Sequence, residues 1–83
     1  MWKKARKKPI VIEYREPIPN GEIEYGVRPY KKLPVEWVET REGKICANPG
    51  DDFVIKGIEG ELYPIKKDIF YKTYDMIVEE DTP

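Results

Sequence analysis

Asp51, Asp52, Glu59 and Glu61 form the densest group of potentially reactive side chains in the sequence, carboxylates placed on both sides of a short apolar run. Clustered carboxylate oxygens bind hard cations such as calcium, and a carboxyl pair in unequal environments can exchange protons with a substrate. The spacing is not that of an EF-hand loop, so turn capping and solvated ion pairs compete with a cation role. Nothing else in the inventory supports catalysis. The chain has no His, Ser or Gln, which excludes imidazole general bases, Ser–His–Asp triads and His-ligated zinc or iron. Cys46 is the single cysteine and lacks an imidazole partner, so it reads as a small strand residue in a reducing compartment. A non-enzymatic protein with no cofactor and no resident metal is expected.

Binding chemistry has more material. Trp2, Lys3, Lys4, Arg6, Lys7 and Lys8 make a basic arm with one aromatic, a composition that contacts phosphates and stacks on a base, or that guards a sheet edge against aggregation. Gly57-Ile58-Glu59-Gly60 matches a GxxG loop in letters, yet both flanks read as strands and not as the helices such a loop joins. Tyr63, Phe70, Tyr71 and Tyr74 crowd the last third of the chain, as core packing or as an aromatic patch for a partner. Lys56, Glu61 and Lys66 are polar where the strand pattern does not require it. With Tyr63 they form a candidate ligand or partner surface if their side chains converge.

The elements that position these groups are short. Residues 9–15 are β-branched and bounded by proline, a strand with Ile10, Ile12 and Tyr14 on one face. Pro17-Ile18-Pro19-Asn20-Gly21 is a turn. Residues 22–28 alternate as an edge strand or ordered loop, and residues 29–34, with proline at each end, read as a connecting loop. Residues 35–40 and 44–47 flank Arg41-Glu42-Gly43, and residues 52–58 and 61–65 flank Glu59-Gly60, as two hairpins separated by the turn Asn48-Pro49-Gly50-Asp51. Residues 66–74 break the two-residue period, which predicts a short helix capped by Asp68. Met76-Ile77-Val78 reads as a final strand.

Charge is unevenly distributed. The net charge of −1 is the balance of +4 over residues 1–16, −1 over 17–74 and −4 over 75–83. Charged residues make up 37% of the chain and Asn is restricted to Asn20 and Asn48, a composition of thermophilic character. No apolar run reaches membrane-spanning length and no apolar segment follows Met1-Trp2-Lys3-Lys4, so a cytoplasmic protein without membrane contact is expected.

Two stretches carry a resemblance. Lys7-Lys8-Pro9-Ile10-Val11-Ile12-Glu13 resembles the RKKPVVIEA-type opening of a family of small uncharacterised phage and prophage proteins. Pro49-Gly50-Asp51, Phe53-Val54-Ile55-Lys56-Gly57, Gly60-Glu61-Leu62-Tyr63-Pro64, Lys66-Lys67-Asp68-Ile69-Phe70 and Thr73-Tyr74 are similar, in order and spacing, to that family's closing block. Asp52 is an additional acid, Lys67 stands where the family has proline, Ile65 where cysteine is frequent and Asp75 where glutamate is usual. Residues 17–34 have no counterpart. The resemblance implies an accessory viral or prophage origin and no reaction.

The expected architecture is α+β and mainly β, about five antiparallel strands as a strongly bent sheet or small partly open barrel, with one short helix near residues 67–72. Residues 1–83 are read as one small domain with a mobile basic arm (1–8) and acidic tail (79–83). The expected function is an accessory or binding protein acting on a host or viral protein, as a monomer or weak homodimer. Weak, salt-dependent nucleic-acid binding by the arm stands second, and calcium at Asp51, Asp52, Glu59 and Glu61 third.

Overall fold

Phe53, Val54 and Ile55 are consecutive, apolar and all buried, at 5%, 1% and 0% exposure. A strand can bury successive side chains only when both of its faces are covered, and this requirement organises the molecule. The computed structural model describes residues 1–77. Its elements are β1 (Glu13–Arg15), β2 (Gly21–Tyr25), β3 (Lys31–Thr40), β4 (Gly43–Ala47), β5 (Asp52–Lys56), β6 (Leu62–Lys66) and α1 (Lys67–Thr73). Two three-stranded antiparallel sheets form, in the orders β1-β5-β6 and β2-β3-β4.

The sheet holding β5 is the middle of three layers. On one face, Val54 and Leu62 pack against Val38 and Ala47 of the β2-β3-β4 sheet. On the other, Phe53 and Ile55 pack with Phe70 of α1, flanked by Ile12, Tyr63, Ile65 and Tyr74. Phe53 and Phe70 meet edge to face with centroids 5.0 Å apart, and Tyr14 closes on Phe70 at 4.5 Å. Helix α1 is too short to be stable alone; the burial of Phe70, at 2% exposure, holds it on the sheet.

The mainly β, antiparallel reading and the helix position hold, with six strands in two sheets and no closed barrel among the described residues. Several local expectations change. Residues 9–12 are not strand, because β5 offers partners only to Glu13, Tyr14 and Arg15. Residues 31–34 are not loop: β2 pairs with residues 31–35 of β3, and β4 with residues 36–40. Pro34 is tolerated because that half of β3 has a neighbour on one side only, and Pro64 lies on the edge strand β6. Asp68 is not the N-cap. Lys66 takes that position with no side-chain hydrogen bond, and Asp68 lies in the first turn, where its charge suits the helix dipole. Met76 and Ile77 are unpaired, while Val78 and residues 79–83 lie outside the described residues.

Because β2 and β4 flank different halves of β3, the β2–β3 pair runs on past β4 as a two-stranded ribbon. The Cα radius of gyration is 16.2 Å, against about 12 Å for a compact chain of this length.

Candidate functional site

The ribbon is fastened at its root by three devices. Asn20 acts as an extra strand residue: its Oδ1 accepts from the Trp37 N–H at 2.7 Å and its Nδ2 donates to the Trp37 carbonyl at 3.3 Å. Gly21 lies against the Trp37 indole, and a Cβ there would stand 2.7 Å from Cδ1. The third device joins the two sheets. Arg15 of β1 donates Nη1 to Glu36 Oε1 at 2.6 Å and Nη2 to Oε2 at 2.8 Å, and the Ile18 N–H donates to the same Oε1 at 2.7 Å. The Glu36 side chain is only 9% exposed against 39% for Arg15. Arg15 hydrogen bonding holds the Glu36 carboxyl below its ordinary value, overcoming burial, which acts in the opposite direction. A bidentate, charge-assisted pair of this kind fixes relative orientation as well as contributing energy.

Beyond the root, strand alternation sorts the ribbon's side chains. Gly21, Ile23 and Tyr25 share a face with Val35, Leu33 and Lys31, while Glu22 and Glu24 share the other with Pro34 and Lys32. Ile23 and Leu33 are half-buried. Lys32 reaches Glu22 at 3.8 Å; among the described residues no cation lies within ion-pair distance of Glu24. Gly26 turns the chain with φ +87°, a left-handed conformation open to glycine. At this end Tyr25, Val27 and Tyr30 are 47%, 84% and 51% exposed. Among the described residues no strand lies beside the outer edge of β2.

The groups singled out by sequence fall elsewhere. The strands flanked by Asp51, Asp52, Glu59 and Glu61 do pair, but antiparallel pairing of Asp52 with Lys66 and of Lys56 with Leu62 puts the two acid pairs at opposite ends of the hairpin, about 14 Å apart along the strands. Asp52 accepts from the Asn48 N–H at 2.8 Å, and Glu59 and Glu61 both meet Arg41. Among the described residues no three such ligands come together around a common point. Lys56 and Lys66 lie on the Val54 face of β5–β6, Tyr63 lies on the opposite, helix-covered face, and Glu61 belongs to the turn. These four residues therefore do not share a surface. Burial, then the neighbouring Tyr74, pushes the Tyr63 hydroxyl up.

Trp2, Lys3, Lys4, Arg6, Lys7 and Lys8 are all exposed and outside regular structure. The arm is tethered at its base, with Lys7 Nζ 4.0 Å over the Tyr74 ring. A groove of about 780 Å³ runs there between residues 7–14 and the end of α1, with Ile10, Ile12 and Phe70 on its walls. Cys46 is half-buried, and burial, with Asp52 adding, raises its thiol pKa. Arg15, Glu36, Asn20 and Trp37 escaped sequence reasoning as a set. The Glu22-Ile23-Glu24-Tyr25 alternation was the one local signal of the ribbon.

Fold and site together define a small, mainly β scaffold that presents a β-ribbon fastened at its root and a basic extended arm. No protein family, characterised protein or solved structure matches the chain. No helix among the described residues is long and apolar enough to cross a membrane.

Proposed function

We propose that the chain is a non-enzymatic accessory protein that works by protein–protein contact through the β2–β3 ribbon. One observation carries this reading: Tyr25, Val27 and Tyr30 stand exposed at the end of a ribbon whose root is locked by Asn20, Gly21, Arg15 and Glu36. Exposed aromatics on a pre-organised element are what a protein interface uses for anchors, and they contribute nothing to either core cluster here. The partner is a host or viral protein of the cytoplasm, a setting supported by the family-like residue blocks and the lone reduced cysteine.

A photo-crosslinking residue placed at position 30 in the full chain, in cells of the native source, tests the reading. A discrete crosslinked protein is expected at position 30 and not at the exposed Glu42. Once purified, that partner is expected to bind the wild-type chain and not a Tyr25→Asp/Val27→Asp variant. Equal crosslinking at both positions, or unchanged binding of the variant, overturns the reading.

The second reading is weak nucleic-acid contact by the arm, supported by Trp2 at 99% exposure beside five cations. Oligonucleotide affinity is then expected to fall steeply with salt and to vanish on deletion of residues 1–8. Equal behaviour of full-length and truncated chains rejects it.

A further inference from the structure

We infer that the open edge of β2 takes the basic arm of a second copy of this chain, so that two copies exchange arms in a closed pair. The inference rests on the ribbon being a contact surface and names one occupant for its edge.

An unpaired edge strand is a template for another strand unless its side chains forbid it. Pairing β2 with β2 of another copy would set Glu22 against Glu24 twice, which like charges directly across a ladder disfavour. The edge instead calls for an extended segment with cations at alternate positions. Lys4, Arg6 and Lys8 are such a set, in a segment without secondary structure, and no arm cation forms an ion pair among the described residues.

One antiparallel register satisfies every position. Lys4 faces Glu24, Ala5 faces Ile23 and Arg6 faces Glu22, which places cations against carboxylates on one face and the small apolar residue against isoleucine on the other. Lys3 then falls beside the exposed Tyr25, within reach of its ring face. A register shift of one residue reverses all of these matches.

The arm cannot serve its own ribbon. Its base is held by Tyr74 in the helix layer, the ribbon belongs to the opposite outer layer, and the β1-β5-β6 sheet lies between. Two layer spacings of about 10 Å exceed the roughly 14 Å that residues 3–7 span when extended. A reciprocal exchange closes under two-fold symmetry and leaves neither arm free.

Sedimentation of the full chain at low salt and at about 1 M salt, where the screening length is about 3 Å, tests the exchange. Wild type is expected to dimerise at low salt and to dissociate at high salt. Lys4→Glu/Arg6→Glu alone and Glu22→Lys/Glu24→Lys alone are each expected to weaken dimerisation by about tenfold or more, since each sets like charges against each other. Mixing the two variants is expected to restore a dimer, as is combining all four substitutions in one chain. Wild type monomeric at low salt, or single reversals without effect on the dimer, overturns the inference. Either result leaves the crosslinking at position 30 to decide the ribbon reading separately, and circular dichroism of each variant verifies that the sheets are intact.

Discussion

Glu36→Ala removes the acceptor that ties β1 to β3 and the Ile18 N–H to both. Wild-type Glu36 accepts three hydrogen bonds of 2.6, 2.8 and 2.7 Å, two from a guanidinium and one from the backbone. Breaking a buried ion pair costs about 3–5 kcal/mol when the remaining charge is stranded. Arg15 is 39% exposed and regains water, which brings the expected loss to about 2–3 kcal/mol. Urea unfolding reads this as a lower midpoint at unchanged slope, with Lys32→Ala, at the exposed Glu22 pair, as a control expected to cost under about 1 kcal/mol. The pH dependence adds a second check. The folded Glu36 carboxyl titrates below its ordinary value of 4.5, chiefly through Arg15, so its ionisation favours the folded state above that value. The contribution is lost as pH falls through the lower, folded value. Wild type minus Glu36→Gln stability is therefore constant from neutral pH to about 5 and shrinks below about 4.5. A loss no greater than that of Lys32→Ala, or a difference that does not narrow in acid, refutes the latch.

Gly21→Ala puts a Cβ 2.7 Å from Trp37 Cδ1; a loss of about 1–3 kcal/mol and a shift in tryptophan emission are expected, and unchanged urea midpoint and emission would contradict the packing. Phe70→Ala empties the aromatic layer under α1 and is expected to cost about 3–5 kcal/mol, read by urea unfolding, with a cost under about 1 kcal/mol showing that the helix does not depend on that ring. The Cys46 thiol, half-buried and raised by burial, is expected to react with a thiol reagent at pH 8 more slowly than free cysteine, and reaction at the rate of the free amino acid would contradict its placement.

Much of the fold was legible locally. Arg41-Glu42-Gly43 and Glu59-Gly60 announce hairpins, because glycine supplies the positive φ that tight turns need, as found at Gly43 and Gly60. The loss of two-residue alternation after Lys66 announces α1. Residues 31–34 failed because proline and paired lysines argue against a strand until β2 supplies a neighbour. Residues 9–12 failed in reverse: β-branched residues favour extension, but β5 has no room for a longer partner. For the candidate site, sequence proximity pointed to the acidic and Lys56–Lys66 groups, which antiparallel register then separated by distance or by face.

The amino-acid sequence alone determined the absence of imidazole and serine chemistry, the opposed charges of the two ends and the small β character, because these depend on inventory, turn residues and alternation. The tertiary structure alone decided which strand lies in the middle, that Arg15 meets Glu36 and that Asn20 and Gly21 seat Trp37. These pairings join residues 16 to 21 positions apart in the chain. No local pattern encodes such contacts: Arg15–Glu36 depends on how the two sheets stack, and Asn20 and Gly21 reach Trp37 only once β2 pairs with β3.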